Sequence, residues 1–110
     1  MNPLTIRQLD TTTGPVLHVA GDLDYDQAPV LRGRLDHLPL SPGHCLVLDL
    51  SGLSFCDSSG ITALLAARQH ALAADADIAL AAVPANLLRV LTLVGLDQVF
   101  TLCPDSSAAS

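Results

Sequence analysis

The chain of 110 residues contains no lysine, and its five arginines, Arg7, Arg32, Arg34, Arg68 and Arg89, are scattered rather than grouped. With a net charge of −6 it lacks the basic stripe that phosphate-backbone binding needs, which excludes a nucleic-acid reader of the usual kind. Without lysine there is no Walker-type phosphate loop and no receiver domain of the response-regulator type, whose active site uses one. Long apolar runs are also missing. Although half of the residues are hydrophobic, none of the runs approaches the roughly 18 residues of a spanning helix. The N-terminus lacks the basic and apolar regions of a signal peptide, so a soluble cytoplasmic protein is expected. Three cysteines, Cys45, Cys56 and Cys103, show no Cys-x-x-Cys spacing and argue against a zinc or disulfide framework. Aromatics are confined to Tyr25, Phe55 and Phe100, which leaves Leu, Val, Ile and Ala to build the core.

The size fits one domain, 1–110, with a core of about 4–103 and a tail from Pro104 to Ser110 expected to be disordered or the stub of a helix. Leu4 to Leu9 and Val16 to Ala20 read as strands joined by a Thr11-to-Pro15 hairpin loop. Asp26 is the expected cap of a first helix, with Pro29 in its opening turn and Val30, Leu31, Leu35 and Leu38 as its apolar stripe. Cys45 to Leu50 reads as a buried strand leading toward a second helix from about Ser59 to Ala74, with Ile61, Leu64, Leu65 and Leu72 at helical spacing. Its outward positions, Thr62, Ala66, Gln69 and Ala73, form an alanine-rich face that another protein can approach closely. Asp77 to Val83 reads as a strand apolar on both faces. A third helix opens at Pro84, with Leu87, Leu88, Leu91 and Val94 inward and Gly95 at its C′ position. Gln98 to Cys103 closes the sheet. The fold class is α/β, with a mixed sheet of about five strands packed with three or four helices.

The densest chemistry lies at Phe55-Cys56-Asp57-Ser58-Ser59-Gly60, where an apolar strand gives way to a helix. The first amides of a helix lack intrahelical partners, and the terminus favours negative charge, including phosphate. Local physics alone leaves two readings open. Asp57, Ser58 and Ser59 are preferred capping residues, and on that ground a plain cap is the stronger reading. A serine here is also a place for a reversible phosphoryl mark. A serine hydrolase is disfavoured, because Cys56 stands where a nucleophile elbow has its first glycine. His18, His37, His44 and His70 have no evident relation to Ser58, and no spaced cluster suggests a metal site. Cys56 reads as a small buried hydrophobe. Nothing supports an enzyme, and no cofactor is expected.

The segment from Leu48 to Gly60 closely resembles the signature of STAS domains, in particular the bacterial anti-anti-sigma factors (anti-sigma factor antagonists). Gly21-Asp22-Leu23-Asp24 is similar to that family's Gly-Glu-Leu-Asp segment, and Pro84, Arg89, Leu91, Gly95, Leu96 and Phe100 match its C-terminal spacing. Together the motifs cover Leu17 to Leu102. The resemblance implies a single STAS domain that binds an anti-sigma factor when unphosphorylated and so frees a sigma factor for transcription. It implies that the anti-sigma factor is also a serine kinase that phosphorylates Ser58 with ATP bound to itself, and that a serine phosphatase reverses the mark. Asp24, Asp57, Ser59 and Gly60 become neighbours of the switch. Thr62, Ala66 and Gln69 become partner-binding candidates, with Asp22, which replaces the usual Glu and reads best as a loop acid. The alternatives are a constitutive STAS scaffold in a transport or stress-signalling complex and a small-ligand binder. Many members of that family carry a further C-terminal helix, of which the Pro104-to-Ser110 tail is expected to hold at most a stub.

Overall fold

A computed structural model describes residues 2–105. The expectation for the tail beyond Asp105 lies outside the described residues. Strands β1 (Thr5–Thr11) and β2 (Gly14–Leu23) form an antiparallel hairpin. Helix α1 (Ala28–Asp36) leads to β3 (Cys45–Asp49) and β4 (Leu53–Cys56). Helix α2 (Ser58–Ala73), β5 (Asp77–Ala81), α3 (Ala85–Leu93), a short 3-10 turn (Leu96–Gln98) and β6 (Thr101–Cys103) complete the domain. The sheet runs β1-β2-β3-β5-β6, parallel from β2 onward, so the expected mixed α/β architecture is present.

A single strand is expected ahead of α2, and the structure holds two. β2 is ten residues long and serves two parallel partners in succession. Its first half pairs with β3 through Val16–Val47 and His18–Asp49, and its last residues pair with β4 through Asp22–Phe55 and Leu23–Cys56. A turn at Leu50–Gly52 separates the two, with Leu50 donating to Ala81 O at 2.9 Å and Gly52 O accepting from Gly21 N at 3.0 Å. β4 therefore continues the lane of β3 and carries the chain to the sheet's end beside β2.

Each parallel crossover is right-handed by preference and moves in one direction along the sheet, which puts the three helices on one face. One core cluster joins Leu31 and Leu35 of α1, Ala63, Leu64, Ala67 and Ala71 of α2, and Leu87 and Leu91 of α3 to Leu17, Leu46, Leu48 and Leu80 of the strands. The buried face of α2 is mostly alanine, so the helix lies close to the sheet; Leu64 is in the core and Leu65 packs against it, while Leu72 does not reach inward. Leu72 is left exposed, as are Val30 on α1 and Leu88 and Val94 on α3, all four expected inside. On the opposite face Val16, Val47 and Ala81 form a smaller cluster. Buried Asp49 there accepts from Ser51 N at 3.0 Å and lies 3.4 Å from His18 Nδ1.

Candidate functional site

The parallel register of β2 and β4 sets Leu23 beside Cys56. The residues that follow, Asp24 and Asp57, therefore leave the sheet at one rim, although 33 positions separate them in sequence. Asp57 N donates to Leu23 O at 3.3 Å, which ties the two exits together.

Asp57 is the N-cap of α2. Its backbone is extended and its carboxylate accepts from Gly60 N at 3.0 Å, while its carbonyl takes the first helical bond from Ile61 N. Gly60 is buried against β2. A Cβ at this position would run into the Leu23 carbonyl oxygen and the Cys56 Sγ, so the helix can start this close to the strand only on glycine. Asp57 and Gly60 thus set the local fold. Ser58, the first helical residue and one position earlier than expected, is exposed. The N–H groups of Ser58 and Ser59 have no acceptor among the described residues, which leaves two donors at the positive end of a sixteen-residue helix.

Ser59 is half-buried. With Tyr25, Asp26, Pro29, Arg32 and Thr62 it lines a groove of about 450 Å³ between α1 and α2. Thr62 and Gln69 are exposed and Ala66 is half-buried, and their i, i+4, i+7 spacing puts the three on one side of α2 leading away from the rim. Tyr25, at 78% exposure, and Arg32 were not singled out from the sequence as site residues. The signal that could have found Arg32 was the inward set of Leu31, Leu35 and Leu38, which leaves it on the outer side of α1.

Asp24, not Asp26, supports the start of α1. Its Oδ1 accepts from Gln27 N at 2.9 Å and its carbonyl from Ala28 N at 2.7 Å, so the chain makes one turn before the helix begins. The N-cap itself is Gln27, which makes no side-chain capping bond. Among the described residues no hydrogen bond joins Asp24 to Ser58. Asp22 has a structural role, since its Oδ2 accepts from Asn2 N at 3.1 Å and fastens the N-terminal segment to β2.

Burial, with Asp57 adding repulsion, pushes the Cys56 thiol up to about 12, so it stays protonated and packs as an apolar group. Among the described residues no histidine is bonded to Ser58. His18 pairs with Asp49, His37 Nδ1 meets Gly33 O at 2.9 Å, and His70 Nε2 meets Leu38 O at 3.0 Å. Among the described residues no three His, Cys or acidic side chains are grouped to hold a metal ion, and no helix is long and apolar enough to cross a membrane.

Comparison with known proteins gives a consistent set of matches. The family described as "Mlab, STAS domain" matches residues 7–104. The crystal structure of an anti-sigma factor antagonist from Mycobacterium paratuberculosis is 28% identical, with 94% of this chain and 88% of that one covered and a TM-score of 0.78. The Bacillus cell fate determinant SpoIIAA in its phosphorylated form is 18% identical, with 96% of both chains covered and a TM-score of 0.71. The murine anion transporter Slc26a9, in its inward-facing state, contains the same fold at 17% identity and a TM-score of 0.75, with 99% of this chain covering 22% of that one.

Proposed function

We propose, since the chain belongs to the STAS-domain family, that it is an anti-sigma factor antagonist controlled by phosphorylation of Ser58. Domains of this family are non-catalytic regulatory or scaffolding modules, so the chemistry is performed on this chain by others. The observation that carries the reading is the position of Ser58: exposed, first in α2, and with a side chain on which the fold does not depend. In the unphosphorylated state the rim of Asp24, Asp57 and Ser58, with the Thr62–Ala66–Gln69 side of α2, docks an anti-sigma factor that is also a serine kinase. A sigma factor is thereby released in the cytoplasm. ATP belongs to the kinase, and a serine phosphatase resets the mark.

The switch follows from charge at a helix terminus. Phosphorylation adds about −1.5 to −2 charges and three acceptor oxygens. The free amides of Ser58 and Ser59 and the helix dipole accommodate this within the domain, at a gain of about 0.3–1 kcal/mol. Inside a docked interface the same group collides with the partner, loses its water and lies beside Asp57. A loss of about 4 kcal/mol weakens binding roughly a thousandfold.

The test is incubation with the cognate kinase and ATP, followed by intact mass and peptide mapping. One phosphate on Ser58, absent from Ser58→Ala, is expected. Modification confined to Ser59 would overturn the assignment. A second reading, a constitutive scaffold, is favoured by the occurrence of this fold as one part of an anion transporter. A pulldown distinguishes the two, since a scaffold returns transport or signalling subunits and is indifferent to Ser58→Ala.

A further inference from the structure

Helix α3 is apolar on more than its inward side. Leu87 and Leu91 enter the core. Val90 and Leu93 remain exposed, at 40% and 78%, where a surface helix ordinarily shows polar residues. Val90 borders a groove of about 150 Å³ between α3 and β4. Half-exposed Phe55 forms part of its opposite wall, and Cys56, two residues before Ser58, also lines it. Cys56 thus brings one end of the groove within two residues of Ser58 along the chain.

Charge narrows the occupant. In a chain of net −6, no acid occurs between Ile78 and Leu96, and Arg89 is the one charged residue of that stretch. A second copy is a poor fit. The nine-residue helix is about 13 Å long, so this face alone falls short of the roughly 1,200 Å² of a stable dimer and suits one part of a larger contact. Two copies also bring Arg89 toward Arg89 while each carries the same net charge. A different protein with apolar anchors and a carboxylate complements the surface.

We propose that the surface of Phe55, Val90 and Leu93 docks an amphipathic helix of the same protein that engages Ser58, with an acidic side chain of that helix opposite Arg89. The inference rests on the partner-switching reading. It adds a contact made by residues other than those of the phosphorylated helix terminus, so the phosphorylated chain keeps a residual hold on its partner. Two linked contacts raise the effective concentration of each at the other.

The test uses the full chain carrying the photoreactive p-benzoylphenylalanine in place of Leu93 or, separately, of Thr62, expressed in its own cells. Both positions are expected to crosslink one polypeptide, with position 93 mapping to an acidic amphipathic helix. If position 62 captures the kinase and position 93 captures nothing, another protein or a second copy, the inference falls and the switch reading stands. If position 62 captures no kinase, the switch reading falls, and a product from position 93 alone overturns the shared partner. With the captured kinase purified, Arg89→Glu and Leu93→Ser should each weaken binding about tenfold. Reversing the partner's acid should restore binding to Arg89→Glu. Unchanged affinity in both variants, with circular dichroism showing an intact fold, would overturn the proposal.

Discussion

Replacing glycine by alanine inside a helix normally stabilises it by about 0.8–1 kcal/mol, because alanine has less backbone entropy to lose. The structure holds two helical glycines for which the same change has opposite signs. Gly33 lies within α1, and a Cβ added there meets nothing within 4 Å. Gly33→Ala should therefore gain close to the full helix-propensity difference, a rise in Tm of roughly 4 °C. Gly60 lies in the first turn of α2, where the added Cβ meets the Leu23 carbonyl oxygen and the Cys56 sulfur. The oxygen belongs to strand backbone and accepts the Asp57 N–H, so it cannot turn aside as a flexible side chain would. Overpacking costs about 1–3 kcal/mol, and a backbone obstacle falls at the upper end. After the propensity gain is set against it, Gly60→Ala should lose about 2 kcal/mol, or roughly 8 °C in Tm. Urea and thermal unfolding followed by circular dichroism measure both. The functional readout is separate: at a temperature where Gly60→Ala is folded, displacement of the start of α2 should slow phosphate transfer to Ser58. If Gly60→Ala is as stable as Gly33→Ala, α2 does not start pressed against β2, and the placement of the switch rim is wrong.

Cys56 should resist alkylation near neutral pH in the folded state and react fully in denaturant, because burial and Asp57 hold its proton to about 12. Its pKa is raised above the ordinary 9.0, so the folded state binds more protons above that pH. Its contribution to stability is complete below pH 9.0 and is lost as pH rises through about 12; Cys56→Ala should flatten that alkaline decline, leaving a remainder from Cys45, also raised by burial. Asp24→Asn keeps an Oδ1 acceptor for Gln27 N and should preserve the fold while slowing phosphorylation or weakening docking. A double-mutant cycle with Ser58→Ala measures the coupling, and additive effects with a normal transfer rate would reduce Asp24 to a turn acid. Phosphorylation of Ser58 should abolish high-affinity binding in calorimetry with the far-ultraviolet dichroism unchanged; lost helix signal would mean an order–disorder switch instead.

The three helices, the hairpin and the Asp-Ser-Ser-Gly junction were legible because each rests on local rules: periodicity, turn chemistry and capping. What was not legible depends on distance in space. Leu53-Ser54-Phe55-Cys56 reads as the end of the strand before it, and only the extra length of β2 gives it a pairing of its own. Asp24 and Asp26 are equivalent to a capping rule, and the turn at Tyr25–Gln27 that selects Asp24 is anchored from elsewhere, with Gln27 Oε1 accepting from Leu4 N at 3.4 Å. The apolar stripes were read too wide for a related reason. Periodicity assigns a direction to each leucine, but the depth of contact is set by Ala63, Ala67 and Ala71, which bring α2 down onto the sheet and leave Leu72 outside.

Within the Asp57–Gly60 segment, the side chains that build the fold and the one proposed to carry the phosphate are different. Asp57 closes the helix terminus and Gly60 permits its approach to β2, so changes at either are felt as stability. Ser59 belongs to the groove beside Arg32. Ser58 contributes its backbone to the helix, its carbonyl accepting from Thr62 Oγ1 at 3.0 Å, while its side chain stands in solvent. A phosphate added to that hydroxyl changes what the surface offers a partner without removing a contact that the core uses. This separation is what a reversible switch on a marginally stable domain requires. A mark on Ser59 would instead fall in the groove beside Arg32, whose guanidinium would pair it within the domain. Of the two serines at the junction, Ser58 is the exposed one and its side chain makes no bond to the fold, which supports the proposed phosphorylation there.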